Sequence, residues 1–261
     1  MRLGISTASF YPELIESAVK RSAALGFRVL EVFVNSEVES GADFGKRTGD
    51  LAREYGMEVV AYHPYTSFAE SFYFFSEYGR RTDESVELYK KYFHTAAVMG
   101  ARIFNFHGAL SRLPVDPDRY CEVYSRLYRA AAEEGLVFSQ ENVYNYQAGT
   151  LGFIKQMRAR LGGDVAFTLD IKQANRLGIA PADMLDAMGD RLVHLHISDF
   201  TASEECLLPG FGSFDYRSFL GRLNRAGAQT CVIEVYRHSY SEETEILAAK
   251  DSLMRYGFFS L

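Results

Sequence analysis

Gly135-Leu136-Val137-Phe138-Ser139-Gln140-Glu141 joins a helix stop, a short apolar run and a carboxylate in one stretch. A glycine that follows a helix-like segment can take the left-handed conformation that closes it, and a nearly continuous apolar run reads as a strand buried on both faces. The same unit recurs along the chain. Gly26, Gly56, Gly100, Gly163, Gly189 and Gly227 each end a helix-like segment just before a β-branched or apolar run. With an opening strand, the stops predict eight strands, at residues 2–6, 28–34, 57–62, 101–106, 136–140, 165–169, 191–197 and 229–235.

Between the strands, residues 84–99 place Val86, Tyr89, Phe93 and Ala96 at helical spacing, and 215–226 does so with Phe219, Leu220 and Leu223. Strand and helix alternate throughout, with no Pro/Ser-rich linker and no charge block. Eight βα units in 261 residues match a single (β/α)8 TIM barrel spanning 1–261. A doubly wound open sheet would carry a glycine fingerprint after its first strand, where this chain has Ser6-Thr-Ala-Ser-Phe10.

Composition limits the function. Hydrophobic content of 48% and charged content of 24% belong to a soluble globular protein. No apolar stretch approaches the roughly 20 residues that cross a bilayer, and the start of the chain has no export-signal pattern, so a cytoplasmic protein is expected. Cys121, Cys206 and Cys231 have no paired spacing and read as small buried apolar residues. A net charge of −6 argues against a broad nucleic-acid footprint.

In a TIM barrel the active site sits at the C-terminal strand ends. His63, His107, Glu141, Asp170, His196 and Glu234 all lie at such ends. Glu141 and Glu234 each close a strongly apolar strand, and burying a lone carboxylate costs several kcal/mol unless it is paired or bound to a cation. A divalent metal resolves that cost, with Asp170 and His196 completing a shell. Three carboxylates and one imidazole suit Mn²⁺ best, with Mg²⁺, Co²⁺ or Zn²⁺ also compatible. His63 and His107 beside Glu141 define a second, nitrogen-rich metal position. Asp170 also has the ordinary alternative of capping the next helix.

The series His63-Pro, Phe-His107-Gly, Gln-Glu141-Asn, Leu-Asp170-Ile-Lys-Gln, His194-Leu-His196-Ile-Ser-Asp199, Pro209-Gly-Phe-Gly212-Ser-Phe-Asp215 and Ile-Glu234-Val resembles the xylose isomerase-like TIM barrels. That superfamily holds sugar isomerases and 3-epimerases, inosose dehydratases, hydroxypyruvate isomerase and endonuclease IV. The resemblance implies that Glu141, Asp170, His196 and Glu234 are metal ligands. It also implies that Glu141 and Glu234 are catalytic, moving a proton on opposite faces of the carbon beside a carbonyl, through an enediolate that the metal stabilises. The expected activity is a metal-dependent isomerase or epimerase of a small sugar, ketose or polyol-derived substrate. A lyase or dehydratase acting on a keto-inositol or keto-glycoside is the alternative.

Two departures shape this expectation. Gln173 stands where many relatives have a histidine, and Leu208 lies in the stretch where endonuclease IV has an Asp-x-His pair, which disfavours a three-zinc abasic-site nuclease. Lys172, Gln173 and Arg237, with His63 and His107, are the candidate substrate-binding residues. Segment 65–81, rich in Tyr and Phe, reads as a lid or as a subunit contact of a homo-oligomer. His94 reads as a packing residue, and His194, two positions before His196 on the same face, as a core group behind the site.

Overall fold

The computed structural model describes residues 1–223 and 228–260. Eight parallel strands close a barrel in sequence order, with β8 pairing back onto β1. They are β1 (Arg2–Ser6), β2 (Val29–Phe33), β3 (Glu58–His63), β4 (Ile103–Phe106), β5 (Val137–Glu141), β6 (Phe167–Asp170), β7 (Leu192–Ile197) and β8 (Thr230–Ile233). All eight fall within about two residues of the bounds expected from sequence, because the apolar and β-branched runs themselves mark them.

The described helices are α1 (Ile15–Ala24), α2 (Ala42–Glu54), α3 (Glu70–Phe75), α4 (Gly79–Met99), α5 (Pro117–Glu133), α6 (Leu151–Leu161), α7 (Ile171–Arg176), α8 (Pro181–Met188), α9 (Tyr216–Leu223) and α10 (Glu243–Met254). Asp116 and Thr150 cap α5 and α6 through their side chains. The main apolar core lies between the strands and the helices, with Phe104, Phe138, Leu195 and Ile233 from the sheet packed among Tyr89, Phe93, Tyr124 and Leu220. A smaller cluster, Val29, Val60, Ala61 and Ile103, sits towards the strand starts.

Gly26, Gly56, Gly100, Gly135 and Gly189 take positive φ as expected. After α6 the stop is Gly162, at φ 56°, and not Gly163, since the helix ends one residue earlier than the apolar pattern suggests. Gly227 and residues 224–226 of the helix expected over 215–226 lie outside the described residues. His94 is a correction: it stands exposed on α4, with Nδ1 3.2 Å from Glu134, because its position falls on the solvent side of the helical stripe.

Candidate active site

Strand alternation assigns the work around Glu141. Its neighbours Gln140 and Asn142 point to the opposite face and tie adjacent strand ends. Gln140 donates to the carbonyls of Phe106 and His107 at 3.0 and 2.9 Å, while Asn142 donates to the Asp170 carbonyl at 3.0 Å and accepts from the Asp170 amide at 2.7 Å. The Gln-Glu-Asn run thereby fixes β5 against the ends of β4 and β6, bringing His107, Glu141 and Asp170 together.

Register does the rest. Asp170 pairs with His196 across β6 and β7, and β8 delivers Glu234 beside them. One donor atom from each of Glu141, Asp170, His196 and Glu234 lies within 4.8 Å of the others. His196 Nδ1 is 3.5 Å from Glu141 and 3.1 Å from Glu234. Asp170 divides its oxygens: Oδ1 accepts from the Gln173 amide at 3.0 Å and caps α7, while Oδ2 is buried with no hydrogen-bond partner among the described residues. His196 Nδ1 is equally buried and unpartnered. Each has a neighbour at 3.1 Å, Lys172 Nζ and Glu234 Oε2 respectively, but without hydrogen-bond geometry. An orphaned carboxylate oxygen and an orphaned imidazole nitrogen, beside two further carboxylates, fit a divalent cation.

Lys172, on the first turn of α7, is buried with its Nζ 3.1 Å from both Asp170 and Glu234, and lies 5.2 Å from the Tyr236 ring centroid. Burial pushes its pKa down, but the two carboxylates hold it well above the usual lysine range. Burial raises Glu234, yet Lys172 and His196 outweigh it and bring the carboxyl down to about 2. Glu141 is likewise driven up by burial and down, to well below the usual range, by His107 and His196. Burial lowers His196, whereas Glu31, Glu234 and Glu141 raise it well above 6.5.

The second cluster lies alongside. His63 Nε2 is 2.9 Å from His107 Nε2, and these nitrogens are 3.5 and 3.1 Å from Glu141 Oε2. The His63 ring stacks on Phe33 at 4.3 Å and its Nδ1 lies 3.3 Å from the Pro64 carbonyl oxygen. A cavity of about 330 Å³ opens over both clusters, lined by His63, His107, Glu141, Lys172, Gln173 and Glu234. Ala8, Tyr11, Phe33, Asn35 and Tyr236, unassigned from the sequence, also line it.

Other expected residues fall outside the cavity. Arg237 is exposed, donating to the Tyr240 carbonyl at 2.9 Å, and is absent from the cavity lining. Leu208 is a buried apolar side chain. In segment 65–81, Phe74 and Phe75 pack against Phe106, Tyr89 and Tyr120, while Phe68 and Phe72 face outwards.

Glu31, Asn105 and Glu70 are among the buried polar residues that the sequence left unassigned. Glu31 sits inside Val-Leu-Glu-Val-Phe, where the burial cost that singled out Glu141 was an available signal. Asn105 donates to it at 2.7 Å. Glu70, among aromatic residues of α3, accepts from the amides of His107 and Gly108 at 2.7 Å each and from Tyr89 Oη at 2.9 Å, so it clamps the loop that carries His107.

Residues 19–256 match the family model described as a xylose isomerase-like TIM barrel. The chain belongs to that family. Within reach of its sequence is ML2432, an uncharacterized protein of Mycobacterium leprae (strain TN), 25% identical over 238 residues that span 82% of this chain and 80% of the relative. Among solved structures of this fold, a D-psicose 3-epimerase crystallised in the presence of D-fructose superposes with a TM-score of 0.80 at 15% identity, over 99% of both chains. The IolI protein with a bound zinc atom gives 0.79 at 15% identity, over 100% of both chains. At such identities the likeness is one of fold.

Proposed function

We propose that this barrel is a divalent-metal-dependent epimerase or isomerase of a small, unphosphorylated ketose or keto-sugar. One observation carries the reading: two ionised carboxylates, Glu141 and Glu234, face one cavity and share His196 and an orphaned Asp170 oxygen. Glu141, Asp170, His196 and Glu234 would hold the cation, and the His63, His107 and Glu141 cluster is a second position. A cation bound there would supply Lewis-acid stabilisation for the negative charge that develops when a proton leaves the carbon beside a carbonyl.

Both carboxylates are unprotonated at neutral pH, so each can accept that proton. Their depressed pKa values make them weak bases toward an ordinary C–H, so the substrate must be acidified by charge stabilisation rather than by base strength. The centre is inverted when one carboxylate takes the proton and the other, which has itself gained a proton from water during turnover, delivers that proton to the opposite face. Return to the adjacent carbon isomerises the sugar.

Charge supports an uncharged substrate. Among the described residues, Lys172 is the one Lys or Arg in the cavity lining, and it is already shared by Asp170 and Glu234. A phosphate entering the cavity would meet carboxylates with no spare guanidinium or ammonium to receive it. The sugar-acting name of the D-psicose 3-epimerase and the zinc in IolI agree with this choice of substrate and cofactor.

The lyase alternative draws on the same Lys172, since elimination needs a proton for the departing oxygen and this ammonium lies buried beside Glu234. Product analysis separates the two, because elimination leaves an unsaturated sugar. The main test is solvent deuterium exchange at the substrate's α-carbon across a panel of ketoses. Glu141→Gln or Glu234→Gln should abolish exchange; a folded double variant that still exchanges would overturn the two-carboxylate mechanism.

A further inference from the structure

Four successive strands place a polar residue two positions below a site residue, and thus on the same face: Asn105 below His107, Ser139 below Glu141, Thr168 below Asp170 and His194 below His196. Barrel interiors are ordinarily filled by Val, Ile and Leu. Here these side chains interlock in a buried layer. Ser139 Oγ is 2.7 Å from Thr168 Oγ1, which donates to Asn105 Oδ1 at 2.7 Å. That bond leaves the Asn105 amide nitrogen to donate to Glu31 Oε2 at 2.7 Å. The same oxygen is 3.2 Å from His194 Nε2 and 3.0 Å from His196 Nε2, and His194 Nδ1 is held 2.7 Å from Thr230 Oγ1.

We propose that Glu31, braced by Asn105 and His194, is the positioning residue that keeps the proton of His196 on Nε2 and aims its Nδ1 lone pair at Glu141, Asp170 and Glu234. A carboxylate oxygen 3.0 Å from a ring nitrogen requires a proton between them. The amide of Asn105 donates to the same oxygen at 2.7 Å and lies 3.4 Å from His196 Nε2, while Glu31 Oε1 is buried without a partner among the described residues. With Nε2 committed to Glu31, the opposite nitrogen is the one left for a metal, and a carboxylate behind a ligating imidazole raises its donor strength. The inference rests on the metal-dependent reading above.

The test uses the full chain, labelled with ¹⁵N-histidine and titrated with Zn²⁺ alone. In the zinc-loaded wild type, His196 should carry its proton on Nε2, protected from solvent exchange, and coordinate through Nδ1. Direct titration should then show zinc affinity falling about 10- to 100-fold in Glu31→Gln. A purely structural Glu31 would lower stability yet leave the folded variant's zinc affinity and the His196 tautomer unchanged. A His196 proton on Nδ1, coordination through Nε2, or a zinc affinity within twofold of wild type would each overturn the proposal. If Glu31→Gln does not fold, the wild-type tautomer alone decides. Failure of the wild type to take up zinc would overturn the metal reading instead, and Glu31 would then be judged from the His196 tautomer in metal-free protein at a pH where the ring is neutral.

Discussion

Asp170 shows how one side chain serves two ends, with Oδ1 capping α7 and Oδ2 facing the acidic cluster. Asp170→Asn can keep the capping oxygen while losing the charged one. Its metal-free stability in urea should stay within about 1 kcal/mol of wild type, whereas metal affinity should drop by at least the roughly 10- to 100-fold that loss of an outer partner costs. Unchanged affinity would remove Asp170 from the shell. Gly108 is constrained differently: its φ is +87°, its amide donates to Glu70, and a Cβ would strike the hydroxyl of buried Tyr120. Gly108→Ala should cost more than roughly 2 kcal/mol, combining left-handed strain with overpacking, as read from denaturant midpoints. Glu141 and Glu234 were legible in the sequence because each terminates an apolar run. Glu31 was not, because a carboxylate in mid-strand gives no sign of which partner lies across the barrel, and Asn105 and His194 are 74 and 163 residues away.

At the scale of elements, the strands were legible because apolar runs and glycine stops are local signals. The packing of α3 was not, since its aromatic residues gave no indication of which would turn inward. Phe74 lies against Tyr89 at 4.7 Å and Phe106 at 5.9 Å, and the same turn buries Glu70 beneath the β4 loop. Burial drives Glu70 well above the usual carboxylate range despite its three hydrogen bonds. A folded-state pKa above that of the unfolded chain means that the folded protein binds an extra proton between the two values. Its contribution to stability is therefore complete below the unfolded value, near 4.5, and is lost as pH rises through the folded one. Glu70→Gln removes that titration. Subtracting its stability–pH curve from that of the wild type should leave a difference that declines from about pH 4.5 upwards, by urea unfolding; a flat difference would show Glu70 ionised in the fold.

Across the whole molecule, Glu31, Glu141, Asp170 and Glu234 gather four carboxyl groups at the centre of the barrel, around Lys172 and His196. In the metal-free protein the excess negative charge is what raises His196, so the ring holds a proton that a metal must displace. The sign follows: affinity for a divalent cation should rise with pH, approaching tenfold per unit while one proton is released, and level off once pH passes the raised folded value of His196. Lys172 keeps its proton throughout this range, so it adds no slope. Dissociation constants measured at about pH 6, 7 and 8 read the effect directly, and a flat profile would mean that His196 is already neutral without metal. Because the ligands converge only in the folded barrel, binding also stabilises the fold. A metal at 100 times its dissociation constant should add about 2.7 kcal/mol, which for a chain of this size raises the melting temperature by roughly 5–10 °C, an increase that a chelator should reverse.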